Sequence, residues 1–397
     1  MALLNLDKLK VKDKLVLIRI DINSPVVKGK IQESPRFKEH LITITELLDK
    51  EAKLVILAHQ GRSRDNDFLQ LKQHADILKK YLPKKIDYYP DLFGSKSIKK
   101  IKSLKSGKAL LLENVRAYTD EMEIKDKNNR YPSLCKLFDL YINDAFSASH
   151  REQGSIIIPP KYLKSFIGRS FEKEVNFLKN FNINSKEKKV FLLGGSKVED
   201  YISMFDVLKN KSNTILASGV FANLILISQG RNLGYENIWA AEQGYLTILP
   251  VLKENYSRYS SQIMLPSDFA FGDVKRIEKP LNNAPFDSKI WDVGKMTLLS
   301  FKKKISESKV VFMKGPLGFS EIDQFSYSTV EILKYISYLT KNKSVFSLIG
   351  GGHLTTTIEK YSILSNFSYI SLSGGALLQY LSGKKLPGII AIENSPL

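Results

Sequence analysis

Short apolar runs rich in β-branched residues alternate along this chain with longer segments of helical period, and that alternation restricts the fold more than any other feature. It is the pattern of parallel sheets whose strands are joined by crossover helices. Leu15–Ile20, Leu54–Ala58, Ala109–Leu112 and Leu140–Ile142 predict buried strands of a first such unit. Val190–Leu193, Thr214–Leu216, Ser261–Leu265, Val310–Phe312, Ser344–Ile349 and Tyr369–Leu372 predict a second. Between them lies SFEKEVNFLKN, Ser170–Asn180, with Phe171, Val175 and Leu178 near helical spacing and acidic residues in the first turn. That segment predicts a helix joining two domains. No repeat at a fixed period and no low-complexity stretch occurs, so solenoids and propellers are excluded.

The 397 residues suffice for two or three domains, each burying its own core. Composition narrows the class further. Hydrophobic residues are 43% and charged residues 25%, values of a folded globular chain and not of a disordered or collagen-like one. The one cysteine, Cys135, cannot form an internal disulfide or a cysteine-rich zinc site, which fits a reducing, cytoplasmic setting. The opening MALLNLDKLKVKDKL breaks every apolar run with charge and lacks a signal-peptide core, and no apolar stretch reaches the ~20 residues of a membrane span. Lys plus Arg number 60 against 41 Asp plus Glu, a net charge of +19. With no zinc-finger spacing, aromatic RNA signature or heptad, this surplus reads as a solvated surface or an anionic small substrate, and nucleic acid is not expected.

Ligands of open α/β sheets bind beyond the carboxyl ends of strands, and three features lie there. In VLIRIDINSP, Asp21 and Asn23 alternate about Ile22 and face one side, as either ligand groups or an Asx-turn closing the strand. In VILAHQGR, Gly61 permits a tight turn that swings His59 and Arg62 toward one point, a grip for phosphate or a plain hydrogen-bonded strand end. Arg36, Arg116 and Arg151 each read as following a strand in the first half of the chain, where forked guanidinium groups match carboxylate or phosphate. The second half carries glycine turns instead: FLLGGSKVED, VFMKGPLGFSE, SLIGGGHLTTT and SLSGGALLQ. Strand, glycines, helix is how a backbone offers unpaired N–H groups to phosphate oxygens, so this half reads as a nucleotide site. Neither the P-loop nor the G-x-G-x-x-G fingerprint is present.

With IRIDINSP, the Arg36 segment, AHQGR, LLENVRAY, YINDAFSASHR, GGSKVED, LPSDF, KGPLGFSE, IGGGH and SGGALLQYLSGKKLPG in order, the chain resembles the phosphoglycerate kinases over nearly its whole length. The resemblance implies an α/β fold of two Rossmann-like three-layer domains with parallel sheets joined by a hinge helix. It implies a phosphoglycerate-binding domain over 1–168, an interdomain helix over 169–184, a nucleotide-binding domain over 185–375 and a segment over 376–397 returning to the first domain. Family members close about the hinge and transfer a phosphoryl group reversibly between ATP and the carboxylate of 3-phosphoglycerate, giving 1,3-bisphosphoglycerate and ADP, with Mg²⁺ accompanying the nucleotide.

Carried over by motif, Asp21, Ile22 and Asn23 would meet the glycerate end of the substrate. His59, Gln60, Gly61, Arg62, Arg116 and Arg151 would hold its nonreacting phosphate, and Arg36 would sit beside the transferring group. Gly195, Lys197, Gly219, Trp291, Pro316, Glu321, Gly350, Gly351, Gly352 and His353 would hold nucleotide. Arg36, Lys197, Gly351 and Gly375 would serve catalysis, and no protein residue would ligate the metal. The acceptor carboxylate is already ionised, so the absence of an evident general base is expected, and alignment with positive charge suffices. Three positions depart from the usual family pattern: Tyr201 stands where a second lysine is common, Lys314 replaces an asparagine, and His353 replaces an aspartate near the metal. GGGH without that lysine resembles the archaeal branch. A catalytically weakened homologue that binds nucleotide or nucleic acid is the alternative, and a complete anion-binding set in the first half argues against it.

Overall fold

The computed structural model describes residues 3–181, 186–273, 275–363 and 366–396. The chain separates into two compact units. One holds the residues up to Asn180 together with those from Lys385 onward, and the other spans Phe181–Lys384.

In the first unit, β1 (Leu15–Arg19) is followed by a two-residue hairpin, β2 (Val26–Val27) with β3 (Lys30–Ile31). Then come β4 (Lys53–Leu57), β5 (Ile86–Tyr88), β6 (Lys108–Leu111), β7 (Leu140–Asn143) and β8 (Ser165–Ile167). Six of these form a parallel sheet in the order β5-β6-β4-β1-β7-β8. Side chains alternate across it. Val16, Ile18, Leu54, Ile56, Ala109, Leu111 and Ile142 join a core with Phe37, Ile44 and Leu47 of the helix Pro35–Asp49 and Leu78 of the helix Lys72–Tyr81. Leu17, Val55, Leu57, Leu110 and Tyr141 face a second core containing Ile101, Leu134, Cys135 and Ile156–Ile158. Two apolar layers, each residue worth about 1.5–3 kcal/mol when fully buried, therefore clamp one sheet.

The second unit contains β9 (Lys189–Leu193), β10 (Asn213–Ala217), β11 (Ile263–Met264), β12 (Asp268–Phe271), β13 (Ile277–Pro280), β14 (Asp292–Val293), β15 (Val310–Lys314), β16 (Phe346–Gly350) and β17 (Tyr369–Ser371). The parallel sheet runs β11-β10-β9-β15-β16-β17. Val190, Leu192, Val311, Met313 and Ile349 pack with Phe301, Leu333 and Ile336 of the helices Lys295–Ser306 and Tyr327–Lys343. Both sheets are parallel, as the alternation of segments predicts, and the first carries an apolar layer on each face.

The differences from expectation are local. The edge strands β5 and β8 are three residues each, too short to stand out as apolar runs. The small antiparallel sheet β13-β12-β14 was not anticipated, and four of its members along β13 are at least partly exposed. The expected strand Ser261–Leu265 shrinks to β11, because Ser260–Gln262 forms a 3-10 turn. Ser344 ends the helix Tyr327–Lys343 with φ of 53°, so β16 begins only at Phe346.

Each sheet reverses direction of growth once. In the first, the chain builds outward from β1 through β4 and then returns to place β7 on the other side of β1. In the second it builds outward from β9 through β10 to β11, then returns with β15 on the other side of β9. Loops diverge at such points and open a crevice beyond the strand ends.

Candidate active site

Beyond β1 and β7, Asp21 is almost wholly buried. Burial alone would push its carboxyl up, but the Arg36 guanidinium first, with hydrogen bonds from the Ser147 hydroxyl and the Asn23 N–H, outweighs that and holds it far below the usual carboxylate range. Arg36 and Ser147 both donate to Oδ2, and the Asn23 N–H donates to Oδ1 at 3.1 Å. Arg36 belongs to the first turn of the helix Pro35–Asp49 and not to a strand exit, which corrects the expectation that all three arginines follow strands. The hairpin β2–β3 intervenes and delivers that helix to the crevice. Arg116, in the 3-10 turn Val115–Ala117 after β6, and Arg151, beyond β7, fit the expectation.

The turn after β4 is fixed by close backbone approach. Gly61 has φ of 66°, and a Cβ there would lie 2.5 Å from the Asp67 backbone. Its N–H donates to Asn23 Oδ1 at 2.8 Å, and its carbonyl accepts from Arg116 Nη1. Arg116 Nη2 is buried and finds no hydrogen-bond partner among the described residues. Burial and then the like charges of Arg151 and Arg19 pull this guanidinium down to about 10. An orphaned donor of a buried cation is an open valence for an anion.

His59 is buried, and Arg19 Nη2 lies 2.9 Å from its Nδ1. A guanidinium can only donate, so Nδ1 must accept and the ring proton sits on Nε2. Burial lowers the imidazole well below its ordinary value; Arg19, Arg116 and Arg151 push the same way, against Asp21. His59 is thus a neutral donor. Arg19 itself is fully buried, donates from Nε to Ser155 Oγ at 2.9 Å, and that hydroxyl donates on to the buried Glu121 at 2.8 Å.

The remaining residues of the expected set divide by exposure. Arg62 points outward and is exposed. Ile22 is in the apolar core, leaving only its backbone toward the crevice. Gln60 is fully buried, with Oε1 accepting from the Ser24 N–H (2.9 Å) and facing His74 Nε2 (3.0 Å), and Nε2 donating to the carbonyls of Ser24 and Asp67. Arg19, Ser147, His40 and Asp144 were missed. The first had a signal, a cation inside the apolar run LVLIRI. His40 and Asp144 gave none, since their 2.7 Å pairing and the 3.1 Å bond from the Asp21 N–H to His40 Nε2 join residues far apart in sequence.

In the second unit the turns after β9, β10 and β15 meet backbone to backbone. The Gly194 N–H donates to the Lys314 carbonyl at 2.9 Å, and a Cβ on Gly194 would lie 2.2 Å from the Pro316 oxygen. Gly219, with φ of 56°, leaves room of only 2.8 Å between such a Cβ and the Gly195 nitrogen. The buried Tyr201 hydroxyl ties the Gly194 and Lys314 carbonyls together. Lys197 precedes a 3-10 helix, Val198–Lys209, and is exposed.

Two of the four glycine turns follow the expected strand, glycine, α-helix order: Gly350–Gly352 before the helix Gly352–Lys360, and Gly374–Gly375 opening the helix Gly374–Leu381. The other two are corrected. Val198–Lys209 is a 3-10 helix, and the segment after Gly315 stays irregular because the Phe319 N–H is tied to the Trp291 carbonyl (2.7 Å) and the Leu317 N–H to Thr329 (2.9 Å). Trp291 stacks on Phe325 at 5.7 Å and meets Phe319 edge-on at 5.2 Å, with Lys289 Nζ 4.4 Å from its ring centre. His353, in the first turn of its helix, lies 3.2 Å from Glu321, and both are exposed. Among the described residues no three His, Cys, Asp or Glu side chains gather as a metal site.

An arginine-walled crevice on one parallel-sheet unit and a glycine cradle with lysines on the other define a phosphotransferase of the two-unit α/β class. The phosphoglycerate kinase family model matches residues 6–384. The chain is 35% identical to the phosphoglycerate kinase of Methanopyrus kandleri over 400 residues, spanning 98% of this chain and 97% of that one. It is 38% identical to that of Methanobacterium bryantii over 393 residues, spanning 96% and 95%. Among solved structures, phosphoglycerate kinase from Pyrococcus horikoshii OT3 superposes with a TM-score of 0.88 at 31% identity over 98% of each chain, and that from Coxiella burnetii with 0.78 at 28% over 99% of each. The chain belongs to the phosphoglycerate kinase family, kinases of glycolysis that use a carboxyl group as phosphoryl acceptor.

Proposed function

We propose that the crevice of the first unit holds 3-phosphoglycerate and that of the second holds Mg-ATP or Mg-ADP. The observation that carries this reading is the buried Arg116 Nη2, without a hydrogen-bond partner among the described residues, in a crevice where the guanidinium groups of Arg19, Arg36, Arg116 and Arg151 outnumber the carboxylates of Asp21 and Glu121. Such a surplus calls for a strong anion. Arg62, Arg116, Arg151 and the Nε2–H of His59 take the phosphate that does not react. Asp21 and Asn23 meet the glycerate end, and Arg36, freed in part from Asp21, bridges the acceptor carboxylate and the incoming phosphoryl oxygens.

In the second unit, the turns at Gly194–Gly195, Gly219, Pro316 and Gly350–Gly352 give backbone amides to the nucleotide phosphates, Lys197 reaches the phosphoryl group, and Glu321 accepts from ribose hydroxyls. Trp291 and Pro316 offer apolar surface to the base. Mg²⁺ prefers oxygen ligands and keeps waters, so it would enter with the nucleotide and supply positive charge to the phosphates, while Lys197 and the amides of the glycine turns would hold the Mg-nucleotide. His353, in the first turn of its helix, would contact phosphate oxygens of the nucleotide or orient a water of its Mg²⁺. In the ATP-consuming direction a carboxylate oxygen attacks the γ-phosphorus, the bond from phosphorus to the β–γ bridging oxygen breaks, and ADP leaves with that electron pair. No proton moves, so positioning and charge are the whole of the protein's task. A cytoplasmic location and hinge bending about the helix Arg169–Asn180 are part of the same proposal.

The test is formation of acyl phosphate from ATP and 3-phosphoglycerate, followed with a coupled dehydrogenase with and without Mg²⁺. Metal-dependent turnover is expected, and a rate equal to the enzyme-free control from folded protein overturns the reading. Arg36→Lys is expected to slow single-turnover transfer by about 10²- to 10³-fold with a much smaller change in KM, because a point charge cannot reproduce the fork.

A further inference from the structure

Lys314, the last residue of β15, stands in register between Leu193 of β9 and Gly350 of β16. The next residues of those neighbours are Gly194–Gly195 and Gly351–Gly352, so one lysine rises from the middle of the glycine turns. Its side chain is only 9% exposed. It crosses the Tyr201 ring, with Nζ 5.2 Å from the ring centre, and ends 3.1 Å from Asp200 Oδ2. A Cβ on Gly374, the first residue of the helix Gly374–Leu381, would lie 3.3 Å from Lys314 Cε and 3.9 Å from Nζ. The lysine therefore passes closely against the start of that helix.

The charges around Nζ do not balance. Burial works most against the charged form, Asp200 works for it, and the nearby ammonium of Lys197 adds a smaller opposing push. Asp200 occupies one of three N–H donors and is itself 41% exposed. Two ammonium groups and the positive end of a helix thus converge on a crevice that holds one carboxylate, beside the turns assigned above to nucleotide phosphate. A buried lysine is costly to keep without a matching anion.

We propose that Lys314 is a catalytic residue, donating to the oxygens of the phosphoryl group as it passes from nucleotide to acceptor. The inference rests on the proposed nucleotide site and adds to it. Asp200 holds the ammonium charged and aimed while the site is empty, and Lys314 exchanges part of that contact for the phosphoryl oxygens during transfer. The bond between the acceptor oxygen and phosphorus forms, that to the bridging oxygen breaks, and the lysine keeps all three protons. Tyr201 contributes no charge; it braces the two loops and lends its ring face to the cation.

Lys314→Met and Lys314→Gln remove the charge and keep all but the last atom of the side chain's length. Each is expected to lower the single-turnover transfer rate by about 10²- to 10³-fold, the usual loss for one donor to a developing charge. ADP affinity, which also reports that the unit is folded, should change less than about threefold. Tetrafluoroaluminate, offered with Mg-ADP and 3-phosphoglycerate as a mimic of the moving phosphoryl group, should bind more weakly by a factor near the rate loss. A merely structural lysine would weaken ADP and the mimic alike, and that result overturns the proposal. Transfer within threefold of wild type in either variant also overturns it. Absence of turnover in the wild-type protein overturns the proposed function as well, whereas wild-type turnover with unimpaired variants overturns the role of Lys314 alone.

Discussion

Arg116 and His74 illustrate opposite uses of a buried polar atom. Arg116 keeps a donor without a partner among the described residues, and a charge-assisted bond to a bound phosphate is worth about 1.5–3 kcal/mol. Arg116→Met is accordingly expected to raise KM for 3-phosphoglycerate roughly 10- to 100-fold, with a smaller fall in kcat, in steady-state kinetics. His74 is instead committed to the fold, its Nε2 facing Gln60 at 3.0 Å, and burial lowers it to about 4 from an ordinary 6.5. Its folded value lies below its unfolded one, so its contribution is full above pH 6.5 and fades as pH falls from 6.5 toward 4. The full difference corresponds to roughly 3 kcal/mol. Urea melts across that range should show the wild type losing stability more steeply than His74→Gln, which keeps a donor but cannot titrate; parallel profiles would remove His74 from the account.

At the level of elements, the glycine turns of the second unit are held by backbone crowding. Gly219→Ala forces a side chain into φ of 56° and against the Gly195 nitrogen. A loss of about 1–3 kcal/mol is expected from the shift of the urea midpoint at unchanged slope, together with weaker ADP binding as Gly195 is displaced. The elements themselves were largely legible. Long buried strands such as β1, β4, β9 and β15 declare themselves because parallel sheets are apolar on both faces. Three-residue strands such as β5 and β8 carry too few side chains to show a period. Motifs located the site, yet whether Gln60 faces a ligand or the interior depends on Ser24, Asp67 and His74, which only the folded chain assembles. Arg19 was visible as a charge in an apolar strand, but its hold on the His59 proton requires β1 and β4 side by side.

Across the whole molecule, the +19 charge meets substrates that are all anions. Raising ionic strength from about 0.01 to about 0.15 M shortens the screening length from roughly 30 to roughly 8 Å. Scattered lysines act over the longer range and the buried arginines do not, so kcat/KM for 3-phosphoglycerate is expected to fall severalfold over that interval while kcat stays nearly constant. A flat salt profile would mean that the surface charge takes no part in substrate capture. The helix Pro387–Glu393 has a different molecular consequence. It packs in the first unit, where the Gly388 N–H reaches the Ser149 carbonyl at 2.9 Å, although all of Phe181–Lys384 precedes it in the chain. During synthesis the first unit must wait for about two hundred further residues before its last piece exists, an interval on the order of ten to forty seconds at ribosomal rates. Its face around Ser149 and Ile156 stays uncovered for that time, so the half of the protein made first is among the last to be finished.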